Sequence, residues 1–296
     1  MEFDVAIIGC GPAGIQAAIH AVRKKVSVVL IGKTQNSAMM GTHIENYMGM
    51  PGEVNGELIL KNGMSQVKIF GCTVLEKNII AASNVGSNFS LTTEDDEEII
   101  AKSVIIATGI SRKGLNVPGE KSLFGKGVSY CAVCDCGFYR GKTVVIVGDE
   151  TEAAVSAELM TRYASKVYWV FGTLAASQNV ITKAENAGVE MINSAIKSII
   201  GSDKVESIIL EDDRNIPTDG VFIELGAKSS ADIAMDLDVI PQTDDSIRVD
   251  EKCATEIPGV FACGDVTGKP WQVARAVGQG CVAGTSAAEY VKGLQQ

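Results

Sequence analysis

A glycine cluster close to the start of the chain leaves little freedom to the fold. Gly9-Cys10-Gly11-Pro12-Ala13-Gly14 stands between an apolar run, Asp4 to Ile8, and an alanine-rich stretch that continues to Lys25; a second apolar run, Val26 to Ile31, follows. GxGxxG on its own is a weak pattern, but between a strand and a helix it specifies a dinucleotide turn. Gly9 serves the tight turn, Gly11 the approach of backbone to a pyrophosphate, and Gly14 the close packing of helix on strand. The helix start then offers unpaired N–H groups and a positive dipole end to phosphate. An acid for the adenosine ribose is expected after the second strand, yet the chain reads Leu30-Ile31-Gly32-Lys33, so that contact falls to backbone or to Lys33.

The same layout recurs. Residues 142–171 again read as strand, turn, helix and strand, with Gly148 lying 139 positions after Gly9. Buried runs also precede Ala107-Thr108-Gly109 and form Val260 to Ala262, ahead of a long Ala/Gly-rich helix. The expected fold is α/β, with two Rossmann-like domains of dinucleotide-binding type. A length of 296 residues suits two domains, and 46% apolar against 21% charged residues supports sizeable cores. The net charge of −10 argues against nucleic acid, and no apolar run approaches the length of a membrane span. The N-terminus reads as a buried strand rather than a leader. The acidic run Glu94 to Glu98 reads as a solvated hairpin tip.

Eight cysteines are too dilute for a disulfide scaffold, which suits a reducing, cytoplasmic setting. Three of them crowd into Cys131-Ala132-Val133-Cys134-Asp135-Cys136. A zinc site would need a second ligand pair at suitable spacing. Cys253 and Cys263 with His20 and His43 do not supply one, so no metal is expected. A redox dithiol at Cys131 and Cys134 is the best reading. Cys10 and Cys281 read as core residues, Cys136 as a small buried side chain, and His20 as surface or satisfied core.

The ordered set Gly9 to Gly14, His43-Ile44-Glu45-Asn46, Ala107-Thr108-Gly109, Cys131 to Asp135 and Cys263-Gly264-Asp265-Val266 resembles the low-molecular-weight thioredoxin reductases over essentially the whole chain. The resemblance implies FAD held by both ends of the chain, in a split domain of residues 1–113 and 242–296. A central domain, 114–241, would carry the dithiol. It places Gly9, Gly11, Pro12, Ala13, Gly14, Asn46, Thr108, Gly109, Gly264, Asp265, Gln272 and Val273 at the cofactor. Cys134 would face the flavin, Cys131 would attack the partner disulfide and Asp135 would move protons. It further implies a homodimer, thioredoxin as substrate, and hinges at Ile110-Ser111 and Ile240-Pro241 about which the central domain rotates. Trp271, where an arginine is usual, falls near the flavin or serves packing.

The second loop departs from the NADPH-using members. It reads Gly148-Asp149-Glu150-Thr151-Glu152-Ala153, with Glu150 in the place of the phosphate-approach glycine. Like charges near 4 Å cost roughly 4 kcal/mol per pair at an effective dielectric of about 20, or roughly three decades of affinity. The basic cluster expected after the next strand is missing, since no lysine or arginine lies between Lys166 and Lys183. The chain therefore resembles the ferredoxin-dependent, pyridine-nucleotide-independent branch. Low-potential ferredoxins near −400 mV and thioredoxin near −270 mV differ by about 130 mV, roughly 6 kcal/mol for two electrons. Between positions 112 and 142, Arg112, Lys113, Lys121, Lys126, Arg140 and Lys142 face only Glu120 and Asp135. That stretch reads as a docking patch for an acidic donor or as a solvated face. The alternatives are a reductase with a divergent NAD(P)H site, an oxygen-dependent dithiol oxidase, and a flavin-bearing redox sensor.

Overall fold

The computed structural model describes residues 1–110, 114–226 and 228–294. The chain divides into two compact units, Met1–Ile110 with Ser229–Gln296, and Ser111–Lys228.

The first unit opens with β1 (Glu2–Ile8), α1 (Pro12–Arg23), β2 (Val28–Ile31), the short pair β3 (His43–Ile44) and β4 (Val54–Asn55), and α2 (Gly56–Ile69). β5 (Thr73–Leu75), β6 (Ile79–Val85), β7 (Asn88–Thr93) and β8 (Glu98–Ile106) follow. The second unit contains β9 (Val128–Ser129), α3 (Ala132–Asp135), β10 (Thr143–Val147), α4 (Thr151–Met160), β11 (Lys166–Phe171), α5 (Gln178–Asn186) and β12 (Glu190–Asn193). It continues through β13 (Ile196–Ile200), β14 (Ser207–Leu210), β15 (Asn215–Pro217) and β16 (Gly220–Ile223). The chain then returns to the first unit with α6 (Ser230–Asp236), β17 (Val260–Ala262) and α7 (Val273–Gly293).

In the first unit the sheet order is β5-β2-β1-β8-β7-β6, with β17 parallel to the C-terminal half of β8. β1 pairs in parallel with both β2 and β8. Alternation along β1 feeds two cores, Val5 and Ile7 under α1 and α7, Ala6 and Ile8 on the opposite face. α1 and α7 meet along a seam of small residues. A Cβ on Gly280 would come within 2.3 Å of the Ala13 carbonyl oxygen, and one on Gly284 within 2.2 Å of that of Ala17. The two helices thus run side by side in the same sense. Because Gly280 lies seven residues inside α7 and Ala13 at the start of α1, α7 begins about 10 Å beyond the glycine turn.

The second unit is a parallel sheet, β12-β11-β10-β16-β9, with a separate antiparallel sheet β13-β14-β15. α4 and α5 cover one face around the fully buried Trp169.

Two sequence expectations need correcting. The chain leaves the second unit at Lys228/Ser229 and not near 241, because α6 puts Ile233, Ala234 and Leu237 into the first unit's core. Ile240-Pro241 therefore lies within the first unit, where Ile240 N–H donates to Glu256 at 3.0 Å. Ser111 of the other expected hinge lies outside the described residues. The run Glu94 to Glu98 is only partly solvated: Glu94 is 3% exposed and pairs with the Lys33 ammonium at 2.8 Å, while Lys77 holds Asp95 and Glu97. Among the described residues, no helix is long and apolar enough to cross a membrane.

Candidate active site

The glycine turn of the first unit is shaped by close approach. Gly9 has φ +117°, and a Cβ there would lie 2.2 Å from the Ala107 carbonyl oxygen; a Cβ on Gly14 would lie 1.8 Å from that of Gly9. Gly11 is different. It caps α1 in extended conformation, φ −82° and ψ −176°, and a Cβ would meet only Ser37 Oγ at 3.7 Å. Among the described residues nothing requires a glycine at position 11, so the space in front of α1 and Pro12 is open to a ligand.

Three further segments converge on this turn. Ala107 and Thr108 lie against Gly9, and the Thr108 hydroxyl is buried without a hydrogen-bond partner among the described residues. Gly109 follows with φ +75°. Gly264, φ +83°, sits so close to Ala13 that their Cβ atoms would be 2.8 Å apart. Beside it the half-buried Asp265 carboxyl is pushed above its usual range by burial, partly offset by the Arg275 guanidinium. Farther along the chain's return, Asn46 Nδ2 donates to Gln272 Oε1 at 2.9 Å, immediately before Val273 opens α7.

Two residues that the sequence reading did not single out hold the Gly264–Gly268 loop. Gln279 Oε1 accepts Gly264 N–H at 3.0 Å and the Thr267 hydroxyl at 2.9 Å. Arg275 donates to the carbonyls of Gly264, Thr267 and Gly268 and to Thr267 Oγ1. Their spacing on α7, four residues apart, was the available signal.

In the second unit Cys131 and Cys134 form a disulfide with their Cα atoms 5.4 Å apart. Cys131 caps the short α3, and its sulfur accepts Cys134 N–H at 3.2 Å. Ser129 Oγ accepts Cys131 N–H at 3.1 Å and donates back to the Cys131 carbonyl at 3.3 Å. Asp135 ends α3, its N–H donating to the Cys131 carbonyl at 3.3 Å. Two buried glutamates support this segment, and neither was foreseen. Glu120 Oε1 accepts the hydroxyl of Tyr130 at 2.6 Å and the N–H of Leu115 at 3.1 Å; Glu224 Oε1 accepts Ala132 N–H at 2.8 Å.

The second glycine turn reproduces the first in backbone but not in side chains. Gly148 has φ +156°, and a Cβ there would lie 2.1 Å from the Glu224 carbonyl oxygen. Glu150 caps α4 with φ −112° and ψ −176°, the extended conformation that Gly11 adopts at the head of α1. Asp149 Oδ1 accepts Gly172 N–H at 2.7 Å, and the Asp149 carbonyl accepts Ala175 N–H at 2.7 Å. Trp169 Nε1 donates to the Gly148 carbonyl at 2.8 Å, and Glu152 is 5% exposed in the first turn of α4.

The basic stretch does not surround the dithiol. Lys126 and Lys142 precede the N-terminal ends of β9 and β10, whereas Cys131 follows the C-terminal end of β9. The five residues of β10 separate those edges by about 16 Å. Arg140 and Lys142 stack on Tyr163 and Tyr139 at 5.0 and 5.2 Å. Lys121 is exposed, and Arg112 and Lys113 lie outside the described residues.

The remaining thiols are placed plainly. Cys10 is buried, donates to the Gly32 carbonyl, and burial pushes its thiol up to about 12. Cys281 is only half-buried, 3.7 Å from His20 Nδ1, and Cys136 is likewise half-buried rather than enclosed. His20 is held below its ordinary range by burial and by Arg23 and Lys24. Trp271 is 52% exposed beneath the Lys269 ammonium.

Two dinucleotide-type units, one with an open glycine turn at a helix start and one bearing a CxxC disulfide, define a disulfide oxidoreductase with a nucleotide cofactor. Residues 3–280 match the family described as pyridine nucleotide-disulphide oxidoreductase. The chain is 33% identical to the thioredoxin reductase of Aquifex aeolicus over 99% of this chain and 95% of that one. In fold it is similar to the atypical thioredoxin reductase TRi of Desulfovibrio vulgaris Hildenborough, with TM-score 0.83, 32% identity and 98% of each chain covered. A ferredoxin-flavin thioredoxin reductase from Clostridium acetobutylicum gives TM-score 0.68 at 32% identity, covering 99% of this chain and 98% of that one. The chain belongs to the pyridine nucleotide-disulphide oxidoreductase family, among its low-molecular-weight thioredoxin reductases. It is a flavoprotein, and FAD is its cofactor. The space before Gly11 and the buried Thr108 hydroxyl fit such a group.

Proposed function

We propose that this chain reduces the disulfide of thioredoxin with electrons taken from reduced ferredoxin. Glu150 carries the choice of donor: in the position where Gly11 leaves room for a pyrophosphate, it sets a carboxylate at the head of a helix in the same backbone conformation. Asp149 and the buried Glu152 add two more acids within the same turn. Asp149 also draws residues 172–175 onto the loop, where no basic side chain stands. The likeness to the Clostridium ferredoxin-flavin enzyme is consistent with this reading. Sequence identity does not discriminate, since a thioredoxin reductase from Streptococcus pyogenes is 33% identical.

FAD would be held by Gly9, Gly11, Pro12, Ala13 and Gly14, by Thr108, Gly109, Gly264 and Asp265, and by Asn46, Gln272 and Val273. It supplies a group that gathers single electrons and passes them on as a pair. The chain's own residues do the rest. By the resemblance, Cys134 would be the sulfur that takes up the pair as its bond to Cys131 opens. The Cys131 thiolate, held by Cys134 N–H, attacks the thioredoxin disulfide to form a mixed disulfide. Cys134 then displaces the reduced partner, and Asp135 gives and takes the proton. The buried unpaired thiols Cys10, Cys72, Cys253 and Cys263 suit a reducing compartment such as the cytoplasm. A homodimer is carried over from the resemblance and is tested by sedimentation. In a reconstituted assay, two equivalents of reduced ferredoxin should yield one reduced thioredoxin. Turnover with NADPH and none with ferredoxin would contradict the proposal.

A further inference from the structure

We infer that Glu224 is a positioning residue that sets the reducing strength of the Cys131–Cys134 pair; this rests on the redox role proposed above for that pair. Glu224 directly follows β16, a strand buried along its whole length between β10 and β9. Its N–H donates to the Val147 carbonyl at 2.8 Å, and its own carbonyl packs on Gly148, so its backbone is fixed on the second glycine turn. Its side chain, in a residue 6% exposed, reaches Ala132 N–H, the amide next after Cys131. One residue therefore joins the altered nucleotide turn to the dithiol.

The chemical consequence follows from what reduction does. Two electrons delivered by way of the flavin break the Sγ–Sγ bond, and uptake of one proton leaves one thiolate and one thiol. A thiolate at Cys131 is stabilised by nearby N–H donors, and Cys134 N–H already serves it. Glu224 takes the neighbouring donor, Ala132 N–H, for itself, and so holds a carboxylate one residue along the chain from the sulfur where negative charge develops. Both effects disfavour the thiolate and so favour the disulfide. The reduced pair is correspondingly the stronger reductant, which is what transfer to thioredoxin near −270 mV requires.

The test uses the full-length holoprotein equilibrated in dithiothreitol redox buffers, with Cys131 and Cys134 quantified by alkylation and peptide mass. Glu224→Gln keeps an acceptor oxygen and removes the charge; retained flavin absorbance reports its fold. It should shift the pair toward the reduced form about tenfold, or ~30 mV for two electrons. Glu224→Ala, which also frees Ala132 N–H, should shift it the same way and speed alkylation of Cys131 by iodoacetamide. Glu190→Gln removes a carboxylate from β12, at the opposite edge of the sheet from β9, and should stay within twofold of wild type. A Glu224→Gln equilibrium within twofold of wild type, or an equal shift in Glu190→Gln, would overturn the inference alone. A wild-type pair that titrates in no buffer would overturn the redox role as well.

Discussion

Asp149 Oδ1 accepts the N–H of Gly172 at 2.7 Å, tying the turn after β10 to the segment after β11. In a dinucleotide unit these two places receive the pyrophosphate and the adenosine ribose. Here they are bonded to each other, with Glu150 standing at the head of α4. The duplicated fold keeps the first glycine of its second turn because Gly148 packs on the Glu224 carbonyl, a requirement of strand packing that holds with or without a ligand.

Restoring the glycine should restore some binding. Glu150→Gly removes the carboxylate of an N-cap residue that makes no side-chain cap bond and whose backbone angle any residue adopts, so the protein should fold. NADH affinity by isothermal titration should rise at least tenfold, about 1.4 kcal/mol. An unchanged affinity would show that charge at this turn does not govern nucleotide binding.

The mirror substitution tests the first turn. A Cβ on Gly11 meets only Ser37 Oγ, at 3.7 Å, and the backbone there is extended, so Gly11→Glu should fold. It should purify without flavin absorbance, with a far-ultraviolet circular dichroism spectrum like that of wild type. Retention of full flavin content would argue that the cofactor does not pass in front of α1.

Asp265 links stability to pH in the flavin-free protein. Its carboxyl is raised above its unfolded value of 3.8, so the folded apoprotein favours the protonated form. That stabilisation is complete below the unfolded value and is lost as pH rises through the folded one. Asp265→Asn apoprotein should therefore melt higher than wild type at pH 7, and the difference should vanish at low pH. The same change should weaken FAD binding by about tenfold or more, as loss of a charged hydrogen-bonding group does. An apoprotein melting lower at pH 7 would contradict this assignment of burial as the dominant effect.

The division of labour between the cysteines predicts a trap. Cys134→Ser leaves Cys131 with no resolving thiol, so it should form a stable mixed disulfide with thioredoxin on a non-reducing gel. Cys131→Ser should not. The opposite pattern would exchange their roles.

Much of this arrangement was legible in the sequence because sterics speak locally. Gly9, Gly14 and Gly148 each mark a backbone approach that no side chain survives, and Glu150 stands out against the pattern they set. Contacts across the chain were not legible. Nothing local says that Glu94 pairs with Lys33, and an acidic run usually stays in water. The far domain boundary was misplaced because α6 has no motif, only Ile233, Ala234 and Leu237 finding a core made by distant strands. Glu224 ends an apolar run like any strand-terminal residue, and only the fold brings it to Ala132. Gln279 and Arg275 likewise gain their meaning from a loop more than six residues away.

Anaerobic stopped-flow mixing of the oxidised holoprotein, followed at the visible flavin band, asks directly who delivers the electrons. Reduced ferredoxin should bleach the band within the time of turnover, while NADPH or NADH in millimolar excess should leave it standing for minutes. Rapid bleaching by either pyridine nucleotide would contradict the account.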